Sequence, residues 1–363
     1  MAPILLIDIR PAVGSHGQRG IGRYVRGLAA SVAAFPDELA NRIWAVGFPG
    51  PTLDSFGAHA VTSTAHRGFG RVPTWASGRL DTNGALKRSG ARVLHATDPQ
   101  RPWTGSAISS IVTVYDLIPL HERAILQSWR LDHQLIYRWY VRQIRSAARI
   151  LAISRSTAED LQERLGIEAA RIDIVYPLVA TPGSIRRTEP PEPTFLFVGA
   201  LDVHKQPELA MRAFEQFRTR FGSGRLRYIG PSDPVQEHRL HELAARLGIT
   251  RSVSFEGRVS DEGLETAYGT ATALVSTSRI EGFGLPPVEA VLRGVPVVAV
   301  RTPAAMETLD GVATMVPADP EAIAEAMAHP VIPSEAAVGA IRERHSIDSV
   351  ARSLADSYRR ILV

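Results

Sequence analysis

The chain has 363 residues, 45% of them hydrophobic and 21% charged, which excludes a wholly disordered polypeptide and suits two domains better than one. Its net charge is only +4, and no block of Lys and Arg or stacking aromatic pattern indicates a nucleic-acid partner. The sequence contains no cysteine, so disulfides, thiol catalysis and cysteine-ligated metals are excluded. It shows neither a signal-peptide pattern nor a bilayer-length apolar stretch, so we expect a cytoplasmic location, with peripheral contact at the inner membrane face as the alternative.

The first predicted elements are a short buried strand over Pro3–Ile9, a glycine-rich loop, and an amphipathic helix over Tyr24–Phe35. This order is typical of loops whose backbone N–H groups face an anion. The loop, GSHGQRGIGRY, matches neither G-x-G-x-x-G nor a P-loop, which argues against a dehydrogenase or a nucleoside triphosphatase. Its candidate residues are His16, Gly17, Arg19 and Gly20, although such a loop taken alone is more often a simple turn.

Two further strands are predicted over Val93–Ala96 and Ser110–Tyr115, after a long surface loop over Gly57–Leu80. Each strand is followed by an acid-bearing loop, HATDPQRPW and YDLIPL, and both loops are expected to point towards one cleft. Tyr115 and Asp116 are the candidate site residues here, with turn formation as the alternative role of Asp116.

A long helical pattern over Ala124–Ala148 carries aromatic residues at helical spacing, namely Trp129, Tyr137, Trp139 and Tyr140. Such a stripe usually packs in a core, and we predict that it does so here. The alternative is a peripheral membrane or acceptor face, assisted by Arg130, Arg138, Arg142 and Arg145.

The proline-rich stretch Pro177–Pro193 predicts a linker between two domains. Beyond it the pattern restarts with a strand over Thr194–Val198, then Gly199 and a helix over Pro207–Phe221, followed by further strands and helices. Two such α/β halves in one chain predict a pair of doubly wound parallel sheets.

The stretch Ser278–Gly294 lies between two apolar runs that we expect to be buried parallel strands. Pro286–Pro287 suits the first turn of a helix, and Gly294 suits the residue just past its end. Glu281 is expected at the carboxyl end of a strand, where open parallel sheets bind ligands, and Glu289 in the first turn of the helix, near its free N–H groups. Taken singly, Glu281 also suits a solvated loop acid and Glu289 a capping residue.

The two glutamates, separated by seven residues with Gly-Phe-Gly-Leu-Pro between them, resemble the motif of the retaining nucleotide-sugar glycosyltransferases of family 4. The segments GIGRY, FLFVGALDVHKQPELAMRAF, FEGRVSDEGL and the last helix, Ile347–Leu362, resemble the same family. The resemblance implies the α/β GT-B fold, in which two Rossmann-like doubly wound parallel-sheet domains face a cleft and the last helix crosses back to the first domain. The domains would be an acceptor-side unit, 1–180 with 346–363, and a donor-binding unit, 181–345.

The resemblance also implies roles for individual residues. Glu281 would lie against the transferred sugar, Lys205 would neutralise the leaving diphosphate, and Glu289 would bind the ribose hydroxyls of the donor. Asp116, on the acceptor side, would join Glu281 and Lys205 as a catalytic residue. The remaining candidates are His16 and Tyr115 on the acceptor side and, on the donor side, Gly17, Arg19, Gly20, Gly199, Gly230, Arg258, Val259, Gly282, Phe283, Gly284 and Leu285.

Two positions depart from the family pattern. Tyr115 stands where members often have a histidine that contacts the transferred sugar, and Ala200 stands where an arginine usually accompanies the lysine at Lys205. Because a diphosphate leaving group gains charge as the sugar bond breaks, we expect a compensating cation, for which Arg19 and Arg279 are the candidates.

The sequence has no Asp-x-Asp or His-x-x-x-His spacing, so we predict transfer without a bound metal or other cofactor. The resemblance implies retention of the anomeric configuration, with the departing phosphate oxygen taking the proton of the acceptor. The pattern is most like bacterial mannosyltransferases that use GDP-mannose, acting on a saccharide, glycolipid or metabolite hydroxyl; a UDP-linked sugar is the alternative donor. A GT-B phosphorylase or epimerase, or a non-catalytic sugar-nucleotide-binding partner, is the alternative from another class, and the oligomeric state stays open.

Overall fold

A computed structural model describes residues 5–13, 20–63, 74–98, 108–122, 127, 130–180 and 187–362. The chain divides into two compact units, Met1–Leu178 with Arg344–Val363, and Val179–Glu343. These divisions fall close to the boundaries expected at 180/181 and 345/346.

The described part of the first unit contains a parallel sheet in the order β3-β2-β1-β4-β5-β6-β7. Its strands are β1 (Leu5–Asp8), β2 (Ile43–Gly47), β3 (Ala60–Thr62), β4 (Val93–Ala96), β5 (Ser109–Val114), β6 (Arg149–Ala152) and β7 (Ile172–Ile174). The helices between them are α1 (Gly20–Val32), α2 (Asp37–Ala40), α3 (Pro51–Asp54), α4 (Thr74–Ser89), α5 (Ile118–His121), α6 (Leu131–Ser146) and α7 (Arg155–Leu165).

The described part of the second unit repeats this plan in a parallel sheet with the order β10-β9-β8-β11-β12-β13. Its strands are β8 (Thr194–Val198), β9 (Arg225–Ile229), β10 (Val253–Phe255), β11 (Ala273–Ser276), β12 (Val297–Val300) and β13 (Thr314–Val316). The helices that follow Leu178 are α8 (Pro207–Phe221), α9 (Pro234–Arg246), α10 (Asp261–Gly269), α11 (Leu285–Leu292), α12 (Pro303–Leu309), α13 (Pro320–Ala328), α14 (Glu335–Arg344) and α15 (Ile347–Leu362), the last of which belongs to the first unit.

In each sheet the first strand lies in the middle, and the direction in which later strands are added reverses there. The chain lays β1, β2 and β3 outward in one direction and then returns to add β4 on the other side of β1; β8 and β11 have the same relation. The central strands are buried on both faces: Leu5, Leu6 and Ile7 of β1 are fully shielded from solvent. The prediction of two doubly wound α/β domains is therefore confirmed, because unbroken apolar runs suit strands that helices cover on both sides.

The last helix packs against α1 in the first unit, as predicted. Tyr358 of α15 is fully buried, and its hydroxyl lies 2.8 Å from Nδ1 of His95 on β4. Arg360 forms an ion pair with the buried Asp173 of β7. These contacts hold the terminal helix on the first sheet after the chain has passed through the second unit.

Three local predictions about the first unit are wrong. The helix over Ala124–Ala148 does not run unbroken, because Arg130 has an extended ψ of 150° and α6 begins at Leu131; 123–126 and 128–129, and hence Trp129, lie outside the described residues. The surface loop over Gly57–Leu80 contains β3 and the start of α4. His95 lies inside β4 and is completely buried, so it does not belong to the following loop.

The expected core role of the aromatic residues on α6 is only partly right. Tyr137 and Tyr140 are buried in the core beneath α6, but Trp139 is 37% exposed, and Leu131 and Leu135 project even further into solvent. None of the helices in the described ranges is both long and apolar enough to cross a lipid bilayer.

Candidate functional site

The site lies at the reversal point of the second sheet, where β8 and β11 are neighbours. Lys205 comes from the loop after β8 and Glu281 from the loop after β11, and these two parallel strands are hydrogen-bonded side by side. Their carboxyl ends therefore bring together two side chains 76 positions apart in sequence. The Nζ of Lys205 lies 2.5 Å from Oε1 of Glu281, and the two side chains are 17% and 19% exposed. Ligands bind at this point in doubly wound folds.

Backbone contacts fix the loop that carries Lys205. Gly199 has a φ of +137°, a conformation that L side chains rarely adopt, and it ends β8 with its N–H donating to the Ile229 carbonyl. The loop then closes in a single 3₁₀ turn over Val203–Lys205. The hydroxyl of Thr277, just after β11, donates to the Lys205 carbonyl at 2.8 Å. The backbone of Lys205 is thus tied to the neighbouring strand, while its side chain extends beside Gly199.

Glu281 is held as a carboxylate. Besides Lys205, the hydroxyl of Ser278 donates to the same Oε1 at 2.7 Å. Burial opposes ionisation, but the charge of Lys205, these two hydrogen bonds and the nearby His204 outweigh it and hold the pKa of Glu281 below its usual value. A small depression beside the pair is lined by Lys205, Ser276, Ser278, Glu281, Pro286 and Pro287, together with apolar residues of β8 and β11. This depression offers one cation, one anion and hydroxyl groups to a polar ligand.

Glu289 does not lie in the first turn of its helix, contrary to the prediction. Helix α11 begins at Leu285, so Glu289 is in the second turn, where its side chain is buried rather than close to the free N–H groups. The hydroxyl of Tyr268 lies 3.4 Å from its Oε2. The guanidinium of Arg293 donates to the Glu289 carbonyl at 2.8 Å and forms an ion pair with Glu265. The side chain of Glu289 is therefore contacted by α10, and its backbone carbonyl by Arg293 at the end of α11.

The segment between the two glutamates presents its backbone rather than its side chains. Gly284 adopts a left-handed conformation, with φ +87° and ψ 56°, and forms the N-cap of α11. Phe283 is 3% exposed, and its carbonyl accepts from Thr308 on α12. Gly282 is also buried, while Leu285 is half-buried. Any contact of Phe283 with a donor must therefore be made by its main chain.

Gly230 is required by the packing of two backbones. A Cβ there would come within 2.0 Å of the Gly199 carbonyl oxygen, and the Gly230 N–H donates to the Gly257 carbonyl at 2.7 Å. Gly199, Gly230 and Gly257 follow the neighbouring strands β8, β9 and β10. The glycine loops thus bring the ends of three strands together next to Lys205, whether or not they touch a ligand.

The residues expected near the base lie further along the same edge. Arg258, which is exposed, and Val259, which is half-buried, follow β10, and β9 separates that strand from β8. At the two positions considered for a compensating cation, Arg19 is outside the described residues, and the Arg279 side chain is exposed while its backbone N–H donates to the His204 carbonyl.

Two candidates of the first unit, Tyr115 and Asp116, directly follow the carboxyl end of β5. His16 and Gly17 lie outside the described residues, and Gly20 is the exposed first residue of α1. The Tyr115 hydroxyl donates to the Thr97 carbonyl at 2.7 Å, and burial raises the pKa of Tyr115 well above its usual value. Asp116 accepts from the Ile118 N–H at 3.1 Å, which is the turn-forming role foreseen as its alternative.

Sequence reasoning missed several residues that the fold brings to these sites. Ser278 bonds to Glu281, and Tyr268 supports Glu289 from another helix. In the first unit Asp8, the last residue of β1, forms a buried ion pair with Arg10, whose guanidinium also donates to the Thr82 hydroxyl of α4 at 2.6 Å. Ser278 stands three positions before Glu281 and could have been found by its nearness to the motif. Asp8 and Arg10 stand two positions apart, whereas Tyr268 and Thr82 come from distant segments and leave no local signal.

No cluster of three or more His, Asp or Glu side chains that could hold a metal occurs within the described ranges. Metal-independent chemistry stays a prediction.

Two family models match the chain. The model described as Glycosyltransferase Family 4 matches residues 18–181, and the model described as Glycosyl transferases group 1 matches residues 185–331. The match to one model thus ends, and the match to the other begins, between the two sheets.

Individual relatives match over shorter segments. D-inositol 3-phosphate glycosyltransferase of Nocardia farcinica is 34% identical over 171 residues, which are 43% of this chain and 38% of the relative. The O-antigen chain mannosyltransferase RfbU of Salmonella typhimurium is 25% identical over 212 residues, or 58% of this chain and 57% of the relative. The matched segments thus span less than two thirds of either relative.

Solved structures match over the full length. Sucrose-phosphate synthase from Thermosynechococcus elongatus has a TM-score of 0.69 at 18% identity, covering 99% of both chains. Anabaena HepE in complex with UDP and glucose has the same TM-score and identity, covering 99% of this chain and 100% of the other. At these identities the match concerns the fold.

Proposed function

Since the chain belongs to the glycosyltransferases of family 4, which have the GT-B fold, we propose that it transfers a sugar from a nucleotide-sugar donor to a hydroxyl group with retention of configuration. The observation that carries this proposal is the Lys205–Glu281 pair at the reversal point of the second sheet, with Glu289 on the helix that follows. It supplies a cation for a diphosphate and carboxylates for sugar and ribose hydroxyls.

In this proposal the second unit binds the donor. The ammonium of Lys205 stabilises the negative charge that develops on the diphosphate as the sugar bond breaks. Glu281 accepts hydrogen bonds from the sugar, and Glu289 from the ribose. The acceptor attacks on the same face of the sugar, and the departing phosphate oxygen takes the proton of the acceptor. Asp116 is the proposed catalytic residue on the acceptor side.

We propose GDP-mannose as the donor, with no metal or other cofactor. The similarity to the mannosyltransferase RfbU supports mannose. A UDP-linked sugar is the second candidate, which the likeness to HepE in complex with UDP and glucose favours. A saccharide, glycolipid or metabolite hydroxyl is the proposed acceptor.

A phosphorylase, an epimerase or a non-catalytic sugar-nucleotide-binding protein is the competing class. The absence of the family arginine at Ala200 favours the non-catalytic alternative. Phosphate-dependent release of the sugar would identify a phosphorylase, and donor binding without turnover on any acceptor would identify a binding protein.

The experiment that tests the donor is a calorimetric titration with GDP, UDP, ADP and TDP in the presence of a chelator. We expect selective GDP binding, weakened at least about tenfold by Lys205→Ala, because a charged hydrogen bond to the diphosphate is lost. Glu289→Ala should also weaken binding. Lys87→Ala, which removes an exposed lysine on α4 of the other unit, is the matched control and should change nothing.

Each outcome of the titration has a definite meaning. Selective binding of UDP would support the proposed site but contradict GDP-mannose as the donor. Binding that withstands both Lys205→Ala and Glu289→Ala would contradict the site. Binding restored only by a divalent ion would contradict the metal-free mechanism.

We also propose that the outward face of α6 contacts a membrane surface that carries a lipid-linked acceptor. Leu131, Leu135 and Trp139 are exposed there. Four arginines accompany them, namely Arg130, Arg138, Arg142 and Arg145, whereas the helix has a single acid, Asp132, which pairs with Arg130. Apolar side chains between cations are complementary to an anionic bilayer surface.

A further inference from the structure

We propose that Glu281 competes with bound diphosphate for Lys205, and that this competition favours release of the nucleoside diphosphate product once the sugar has left. The inference rests on the proposed function, because it takes Lys205 as the cation that binds the diphosphate. It gives Glu281 a second role besides its contact with the sugar.

Glu281 binds the ammonium group of Lys205, which is the same group that would bind a diphosphate. The ammonium of Lys205 lies 2.5 Å from Glu281, and both side chains are more than four-fifths shielded from solvent. A phosphate oxygen can bind Lys205 fully only if this contact lengthens or breaks. Glu281 is therefore an internal anion that competes for the cation assigned to the diphosphate.

Hydrogen bonds hold the backbone of Lys205 on both sides. Its N–H donates to the Asp202 carbonyl at 2.9 Å, and its carbonyl accepts from Thr277 at 2.8 Å. Glu281 is anchored as well, by the Ser278 hydroxyl at 2.7 Å. The exchange between carboxylate and phosphate is thus a swing of the lysine side chain within a fixed frame.

The cost of that swing differs between the donor and the product. When Lys205 turns to a diphosphate, Glu281 loses its cation while largely shielded from water, and a charge left in this way is unfavourable. In the complex with a nucleotide sugar, hydroxyls of the sugar donate to Glu281 and offset the loss. In the complex with a nucleoside diphosphate no sugar is present to offset the loss, and Glu281 keeps the hydrogen bond from the Ser278 hydroxyl. The pair therefore weakens product binding more than donor binding.

Two variants of Glu281 test the competition. Glu281→Gln removes the charge with little change of shape, and Glu281→Asp keeps the charge but draws the carboxylate away from Lys205. The probes are GDP, UDP and inorganic pyrophosphate, titrated calorimetrically in parallel with GDP-mannose and UDP-glucose. We expect Glu281→Gln to bind the diphosphates about fivefold more tightly than the wild type, and Glu281→Asp to shift in the same direction by less, because a competing ion pair of this kind is lost or weakened. The affinity for the nucleotide sugar should stay unchanged or fall.

Two controls separate competition from a general effect of charge. Asp202→Asn removes an exposed negative charge from the same loop without touching the pair, and it should leave the diphosphate affinity within twofold of the wild type. In the Lys205→Ala background, Glu281→Gln should lose most of its tightening effect, because there is no lysine left to release. Circular dichroism and the melting temperature establish that each variant is folded.

The outcomes distinguish this inference from the function on which it rests. Unchanged or weaker diphosphate binding in both Glu281 variants would overturn the competition while leaving Lys205 as the phosphate ligand. Equal tightening by Asp202→Asn, or tightening that persists without Lys205, would also overturn it. If Lys205→Ala alone had no effect on diphosphate binding, the donor site itself would be wrong, and the competition with it.

Discussion

A Cβ placed on Gly230 would lie 2.0 Å from the Gly199 carbonyl oxygen, a separation that real side chains do not reach. The prediction that Gly230 borders the donor remains untested, but this packing supplies a sufficient reason for glycine. Lys205 illustrates the opposite case: its Nζ lies against Glu281 at the carboxyl ends of β8 and β11, beside a depression that polar side chains line. At the scale of single residues, the surroundings distinguish a side chain required by the backbone from one available to a ligand.

The substitution Gly230→Ala should therefore destabilise the second unit by about 3 kcal/mol, because the steric overlap adds to the strain of a positive φ. The measurement is the shift of the urea midpoint of unfolding. Gly248→Ala is the matched control, since Gly248 also has a positive φ, +68°, but a Cβ there meets nothing within 4 Å; we expect a cost of about 1 kcal/mol. Equal costs for the two variants would contradict the steric explanation.

Helix α6 shows that one amphipathic pattern can serve two surroundings. Tyr137, Tyr140 and Ile144 lie in the core, which accounts for the inward face. Leu131 and Leu135 are 77% and 61% exposed, which a core role does not explain. The helical spacing of its aromatic residues predicted the buried side correctly, and the same spacing placed Trp139 on the opposite side.

If the outward face of α6 contacts an anionic bilayer, the combined variant Leu135→Glu, Trp139→Glu should lower binding to phosphatidylglycerol vesicles by about tenfold, since apolar contact is lost and negative charge is added. Sedimentation with vesicles measures this, and neutral phosphatidylcholine vesicles should bind the wild type weakly. Val235→Glu, at a valine that is 61% exposed on α9 of the other unit, is the matched control. A wild type that binds neither kind of vesicle would contradict the membrane proposal.

At the scale of the whole molecule, two buried histidines lie where the returning chain packs on the first unit. His95 lies 2.8 Å from both Tyr358 of α15 and Thr113 of β5. His345, just before α15, lies 3.1 Å from the Pro177 carbonyl, close to the place where the chain leaves the first unit. Burial lowers the pKa of His95 to about 3 and that of His345 to about 4. Both are therefore neutral in the folded protein at neutral pH.

This neutrality predicts how stability depends on pH. An unfolded histidine titrates near 6.5, so between pH 6.5 and about 4 the unfolded chain binds more protons than the folded one. The free energy of unfolding therefore decreases as the pH is lowered through this window. Each histidine contributes a slope of up to about 1.4 kcal/mol per pH unit. His345→Asn, whose amide can replace the Nδ1 contact, should flatten the urea-derived stability profile in this window. An unchanged slope in both His345→Asn and His95→Asn would contradict the assignment.

The sequence by itself determined the class and order of the elements in both units. Unbroken apolar runs such as VPVVAV are typical of strands covered on both faces, and glycines after them mark the loops. The glutamate motif and Lys205 were also visible, because they are local patterns next to strand ends. Glu289 was placed one turn too early, because the start of α11 depends on the left-handed conformation of Gly284, which the sequence only permits.

What only the tertiary structure decided is which distant residues meet. The reversal of strand order places β8 beside β11, and so brings Lys205 onto Glu281 across 76 positions of sequence. The tertiary structure also buries His95 beneath α15, where it contacts Tyr358, so that it does not lie in the loop after β4. The side chain of Phe283 is likewise buried. Hydrophobic periodicity specifies which face of a strand or helix is buried, but the partner across that face is set by strand order and helix packing, which are properties of the assembled sheet.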